Sequence, residues 1–410
     1  MSNKIIFNEI LPVEKGIIFS SSDGSGLYFW KSQEKEARLI TSFQDDLDGQ
    51  GTPYKVLAKI GNKIFLPPCL AENIVVYDLE SKNRQVIRLD RVYQGQNGLC
   101  KFWTSIVYNE YIYFIGHYYP AIIKLNTCTM DLVYLTDWVR HVEKRRRLKD
   151  SPYWGIGIVQ GDTALFPCCC ANVVLKLDLR TDETEICEIQ TDIRGFNGIC
   201  FSEGKYWLPS RHSYEVAIWS KDTRSVEILE LEAGEKNTDL VFFRPPLIVN
   251  KRLYLFPTVA DHAYYIDTSD KEVRRIKRVD EILDSDGDDS ANCSKIASPP
   301  ALVDGKIYFI TEKDKIWHIY NPETESLTNF SVQIDIYGKK AIKKQRALKD
   351  FYNAVREKNE TFTFTEEELF SCGVFCDFTR ECRNKTDAFS PQILDPRKNI
   401  GQSIYSKLKI

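Results

Sequence analysis

One unit of about 48 residues recurs seven times between residues 5 and 335, and nothing else constrains this chain's fold as tightly. Each unit holds an apolar run ending near proline, a loop, a second apolar run and then a turn residue. Lys63-Ile-Phe-Leu-Pro-Pro followed by Ile74-Val-Val-Tyr-Asp78 matches Thr163-Ala-Leu-Phe-Pro followed by Val173-Val-Leu-Lys-Leu-Asp178. Arg252-Leu-Tyr-Leu-Phe-Pro followed by Tyr264-Tyr-Ile-Asp267 repeats the pattern. The turn residue falls at Lys31, Asp78, Asn126, Asp178, Ser220, Asp267 and Asn321. The spacing runs from 42 residues (Asp178 to Ser220) to 54 (Asp267 to Asn321).

Four short strands per unit at this period predict an all-β, seven-bladed β-propeller over residues 1–338. Hydrophobic residues make up 43% of the chain and aromatic residues 12%, enough for a large core. With 21 Tyr and 22 Phe against 2 Met, the core is of a kind that suits strands. Every unit holds its own candidate first strand, so closure does not demand a swapped strand, though a strand from the tail could replace a weak one. Residues 339–410 read as a partly helical C-terminal extension packing on the propeller. In it, Lys339–Lys358 is amphipathic, with Ile342, Leu348, Phe351, Tyr352 and Val355 on one side.

Turns between first and second strands, such as Gly61-Asn-Lys and Asp304-Gly-Lys, carry residues that tolerate positive φ. In the turns after third strands, an Asx side chain can bond the backbone ahead. Both turn sets fall on one face of a propeller. The second-to-third-strand loops and the inter-blade connections fall on the other, where ligand-binding residues concentrate. Two connections are long. Arg140–Arg147 reads as a short basic helix, and Val279–Lys295, with its Asp284-Ser-Asp-Gly-Asp-Asp run, as an acidic loop.

The net charge of −3 gives no general push toward nucleic acid, and no nucleic-acid partner is expected. No stretch approaches the ~20 apolar residues of a membrane helix, so no membrane partner is expected either. Twelve cysteines, including the run Cys168-Cys169-Cys170, show no disulfide framework and point to a reducing cytoplasm. Cys372, Cys376 and Cys382 lack a recognisable fourth ligand, and no phosphate loop or nucleophile elbow occurs. No cofactor and no metal are expected.

The repeat resembles the general kelch, WD40 and lactonase-type propeller class over residues 5–335. No Trp-Asp dipeptide ends the units and no Gly-Gly pair precedes the second strands, so the resemblance is to the class as a whole. That class hosts binding scaffolds as well as lyases and hydrolases.

Aligning the units through the second strand places His117 in the loop of unit three, Cys168–Cys170 in that of unit four, and Arg211 and His212 in that of unit five. His262 falls slightly further along in unit six. Connections on the same face add Trp103, Trp154, Arg194, Asn197, Asn237, Asp239 and Arg244. Imidazole, guanidinium and aromatic groups on one face are the ingredients of a polar pocket. The first expectation is a binding propeller whose partner is a small polar ligand, a peptide, a glycan or a protein. Trp would stack on the ligand while Arg and Asn fix its polar groups. The alternative is a lyase or hydrolase with His117, Arg211 and His212 as candidate catalytic groups. A zinc set built from His117, His212, His262 and a cysteine is a third arrangement.

Overall fold

The seven repeats fold as seven antiparallel sheets, each a four-stranded meander in chain order, the first joined by a fifth strand. The computed structural model describes residues 5–21, 26–31, 34–43, 52–90, 99–232, 240–284 and 294–343. The innermost strands are Glu9–Val13, Ala58–Ile60, Phe102–Tyr108, Ile158–Gln160, Cys200–Ser202, Leu247–Val249 and Ala301–Val303. Middle strands such as Tyr111–Gly116 and Val173–Asp178 are buried on both faces and read as nearly unbroken apolar runs. Outer strands such as Arg84–Ile87 and Ser326–Phe330 face water and carry exposed polar residues.

Apolar side chains fill the space between every successive pair of blades. Ile18 and Val75 share one cluster, as do Phe65 and Phe114, Tyr113 and Phe166, and Leu165 and Leu208. Trp207 with Leu253, and Tyr254 with Phe309, continue the series. The seventh cluster joins the last blade to the first through Trp317, Trp30, Phe7 and Phe19, so the ring closes. Trp317 is fully buried and its indole N–H donates to the carbonyl of Ile5 at 2.7 Å. The chain then runs back along the rim of blade 1, where Gln333–Ile334 pairs in parallel with Glu36 and Ala37 of the outer strand. This short strand adds to the rim of blade 1.

The turns follow their residue types. Asp78, Asn126 and Asp178 each accept the backbone N–H groups two and three residues ahead, at 2.9–3.1 Å. The residue four positions on is left-handed in each: Lys82, Met130 and Asp182, with φ between 59° and 65°. Blade 5 makes the same turn from Ser220, with Arg224 at φ 54°.

The basic connection holds a single helical turn, Val139–Glu143. The next long connection differs from expectation. Lys277–Asp284 is a helix where the acidic loop was expected to have begun. Its apolar spacing explains this: Ile276, Val279 and Leu283 are buried against blades 6 and 7. Residues 285–293, most of the acidic run, lie outside the described residues. The tail helix opens at residue 336, three residues earlier than the amphipathic stretch indicates. Asp335 caps it, its Oδ1 accepting the N–H of Gly338 at 2.7 Å. Ile342 packs into the closing cluster, and residues 344–410, with Cys372, Cys376 and Cys382, lie outside the described residues.

Candidate functional site

Blades 2 to 7 are each approached by an extended segment that pairs with the start of that blade's second-to-third-strand loop. The pairs are Tyr54 with Pro68, Phe102 with Gly116, Trp154 with Cys168, Phe196 with Ser210, Phe243 with Pro257 and Ile296 with Thr311. The six approach residues are large, apolar and no more than 2% exposed. Successive side chains of extended backbone alternate in direction. The next residue therefore points to the other side in Lys55, Trp103, Asn197 and Arg244. The same position is Gly155 in blade 4 and, in blade 7, Ala297, which packs against the closing cluster. Beside each stands the second loop residue: Cys69, His117, Cys169, Arg211, Thr258 and Glu312. These two rows form a collar.

Main-chain hydrogen bonds hold the collar. The N–H of His117 donates to Lys101, that of Cys169 to Tyr153, that of Arg211 to Gly195 and that of Thr258 to Phe242, at 2.7–2.9 Å. The N–H groups of Cys69 and Glu312 bond Pro53 and Lys295 in the same way. In turn the carbonyls of Cys69, His117, Arg211 and Thr258 accept N–H groups from the approach to the following blade. Between blades 4 and 5 the link is Phe196 N–H to Cys168 O, at 2.8 Å. The result is one belt of main-chain bonds from blade 2 to blade 7.

The side chains converge from several blades. The ammonium of Lys55 lies 5.0 Å from the centre of the Trp103 ring. Trp103 stacks on His117 with centroids 5.0 Å apart and planes at 22°. His117 Nδ1 lies 2.7 Å from the carbonyl of Trp154, so Nδ1 carries the hydrogen and donates. Its Nε2 has no hydrogen-bond partner among the described residues. Burial, aided by the charges of Arg211 and Lys55, pushes the His117 pKa down to about 3, and the ring is neutral. The charges of Lys55 from blade 2 and Arg211 from blade 5 both reach this blade 3 side chain.

Arg211 donates from Nη1 to Asn197 Oδ1 at 3.2 Å, and Asn197 donates from Nδ2 to the carbonyl of Phe243 at 2.7 Å. The Arg211 Nε is buried with no partner among the described residues. Its guanidinium lies beside the thiol of Cys169, whose pKa burial raises to about 11 against the pull of that charge. Lys101 donates from Nζ to the carbonyl of Ala71 at 2.9 Å, and burial lowers its pKa. Burial lowers that of Arg244 to about 10, with Glu312 opposing; its Nη2 donates to Ser294 Oγ at 2.9 Å and to the carbonyl of Ile296.

The other expected residues go elsewhere. The Trp154 ring is 1% exposed and packs edge-on against Trp138, so Trp154 offers its carbonyl rather than an aromatic wall. His212 is buried, with Nδ1 2.9 Å from the carbonyl of Leu240. His262 pairs with Asp280 of the rim helix at 3.1 Å. Arg194 is half-buried on the approach to blade 5. Asn237 and Asp239 lie outside the described residues. With His212 and His262 so engaged, the zinc arrangement is not assembled. Among the described residues no group of three or more His, Cys, Asp or Glu side chains could hold a metal ion. Aligning through the second strand missed Lys55, Lys101, Cys69 and Glu312. The signal for Lys55 was a large apolar residue followed by an outward one: Tyr54-Lys55, Phe102-Trp103, Phe196-Asn197 and Phe243-Arg244.

No family model matches the chain, and no curated protein matches it. Solved structures do. One is the extracellular domain of a putative one-component system from B. thetaiotaomicron, at TM-score 0.50 and 11% identity over 77% of this chain. The match spans 38% of that chain. The extracellular domain of a putative hybrid two-component system from B. thetaiotaomicron matches at TM-score 0.51 and 11% identity, over 77% of this chain and 38% of its own. A virginiamycin B lyase from Staphylococcus aureus gives TM-score 0.47 and 12% identity, over 69% of this chain and 85% of its own. This chain is a β-propeller. At these identities the likeness is one of fold alone.

Proposed function

We propose that this propeller is a binding protein that receives a polar ligand at the loop-face mouth of its channel. The observation that carries this reading is the convergence of Lys55, Trp103, His117 and Arg211 from blades 2, 3 and 5. Trp103 supplies an aromatic face, Arg211 an unused buried N–H, and His117 Nε2 a bare acceptor. A flat polar molecule suits that set: the ring lies against Trp103 and its polar groups meet Arg211 and His117. Small ligand, peptide side chain and glycan unit all meet this description.

The lyase or hydrolase alternative needs a base. A ring held near a pKa of about 3 takes up few protons at neutral pH, and His212 is turned to Leu240. Both features favour recognition over proton transfer. The test is a ligand screen by saturation-transfer NMR, using uronic-acid glycans, lactones and peptides, repeated with Trp103→Ala. Trp103→Ala should abolish detectable binding of the hits, because each stacked face contributes about 1–3 kcal/mol. Hits that bind this variant as well as wild type would place the ligand elsewhere, and turnover of any lactone or glycan would favour the enzyme.

A further inference from the structure

Several cations elsewhere on the propeller have carboxylate partners, while others, such as Arg38 over the Phe29 ring, have none among the described residues. Lys124 pairs with Asp182, Arg145 with Glu188, Lys176 with Glu185, Lys271 with Glu227 and Arg275 with Glu232. At the mouth, Lys55, Lys101, Arg211 and Arg244 form no ion pair with any described residue. Lys55 faces an aromatic ring, Lys101 faces carbonyls, and Arg211 shares one amide while its Nε has nothing. Burial chiefly lowers the His117 pKa, and the charges of Arg211 and Lys55 both add to that, so two of these positive charges bear on one side chain. A guanidinium N–H that is out of water and unbonded is costly, and a ligand that bonds it relieves that cost. The chain carries a net charge of −3, yet among the described residues these four cations form no ion pair.

We infer that the ligand of this mouth is an organic oxyanion: a carboxylate or phosphate attached to a flat or ring-shaped body. The inference rests on the binding reading above and deepens it. The oxyanion meets Arg211 and Lys55, whose charges strengthen such hydrogen bonds. The body lies on Trp103. His117, neutral and bonded through Nδ1 to Trp154, holds Trp103 in place from the other side. The collar holds a single acid, Glu312 in blade 7, and among the described residues that group pairs with Lys315.

The test uses matched pairs that share a body and differ in charge: glucuronate with glucose, benzoate with benzyl alcohol, phenyl phosphate with phenol. Binding to the full chain is read by ligand-observed NMR and calorimetry at low salt. In at least one pair the anion should bind and its neutral partner should not, and binding should weaken as salt rises. Arg211→Gln and Lys55→Gln should each weaken the anion by about tenfold or more, with thermal melting confirming that both variants fold. Lys55 is half-exposed, so its variant keeps the test alive if Arg211→Gln unfolds. Comparing the carboxylates with phenyl phosphate separates the two oxyanions. Absence of any anion binding overturns the inference, as does anion binding untouched by both substitutions. Neutral members that bind as well as the anions, and lose binding in Trp103→Ala, leave the mouth as a binding site but overturn its charge preference.

Discussion

Two groups on different blades act on stability with opposite pH signs. His117 has a folded pKa of about 3 against an ordinary 6.5. Between those values the unfolded chain holds a proton that the folded one refuses, so stability falls as pH drops from 6.5 toward 3. His318, stacked on Phe309 and pushed by burial to about 4, adds to the same acid loss. Glu9 behaves the other way. Although only half-buried by exposure, it sits in the crowded wall between blades 1 and 2, accepting the N–H of Leu57, and burial raises its pKa to about 8. From 4.5 up to 8 the folded chain keeps a proton that the unfolded chain has lost, so stability falls as pH rises through that window. Glu9→Gln should therefore be more stable than wild type at pH 8 by about 1–3 kcal/mol, allowing for its partial contact with water, and level with it near pH 4. Urea unfolding at both pH values checks this, and equal midpoints at pH 8 would contradict it. His117→Gln should lose less stability than wild type between pH 7 and pH 5 in the same assay. At this scale the sequence was half legible. Trp103 and Trp154 are the same residue type on equivalent connections, yet one faces the mouth and the other the core. Trp154 aligns with Phe102, and a one-residue offset reverses the side of an extended chain. Composition carries no record of that register.

The turn after each third strand was readable because its chemistry is local. An Asx side chain two or three residues from the N–H groups it bonds leaves its mark within five positions of sequence. Blade 1 departs from the rule with Lys31 and blade 5 with Ser220, and no described bond from the Ser220 hydroxyl reaches the backbone ahead. Ser220→Asp should therefore raise stability by about 0.5–1 kcal/mol, and Asp178→Ala should lower it by about 1–2 kcal/mol, since two hydrogen bonds to one carboxylate are lost. Guanidinium unfolding with unchanged slope would measure both; a Ser220→Asp midpoint at or below wild type would count against the turn argument. The helix Lys277–Asp284 was less legible. Its acidic neighbours dominated the reading, whereas three apolar residues packed between blades 6 and 7 decided the structure.

For the molecule as a whole, the repeat fixed the blade count because seven similar units can bury their faces only against one another. What repetition leaves open is the seam. There Trp317 touches Phe7, Phe19, Trp30 and Phe330, with ring centroids 4.8–6.0 Å apart. Trp317→Ala should destabilise the protein by about 3–5 kcal/mol, as for a large aromatic removed from a packed core. Differential scanning calorimetry would show it as one transition moved to lower temperature; an unmoved transition would mean that the seam is not a weight-bearing part of the ring. The belt around the mouth has a different kind of consequence. Its bonds join main-chain groups, which every amino acid except proline supplies alike. Residue identity at 258 or 312, where the side chains are only half-buried, can drift across generations while the rim keeps its outline, so a lineage built on this frame can trade one ligand for another by single substitutions, with proline the replacement that the main-chain bonds themselves forbid.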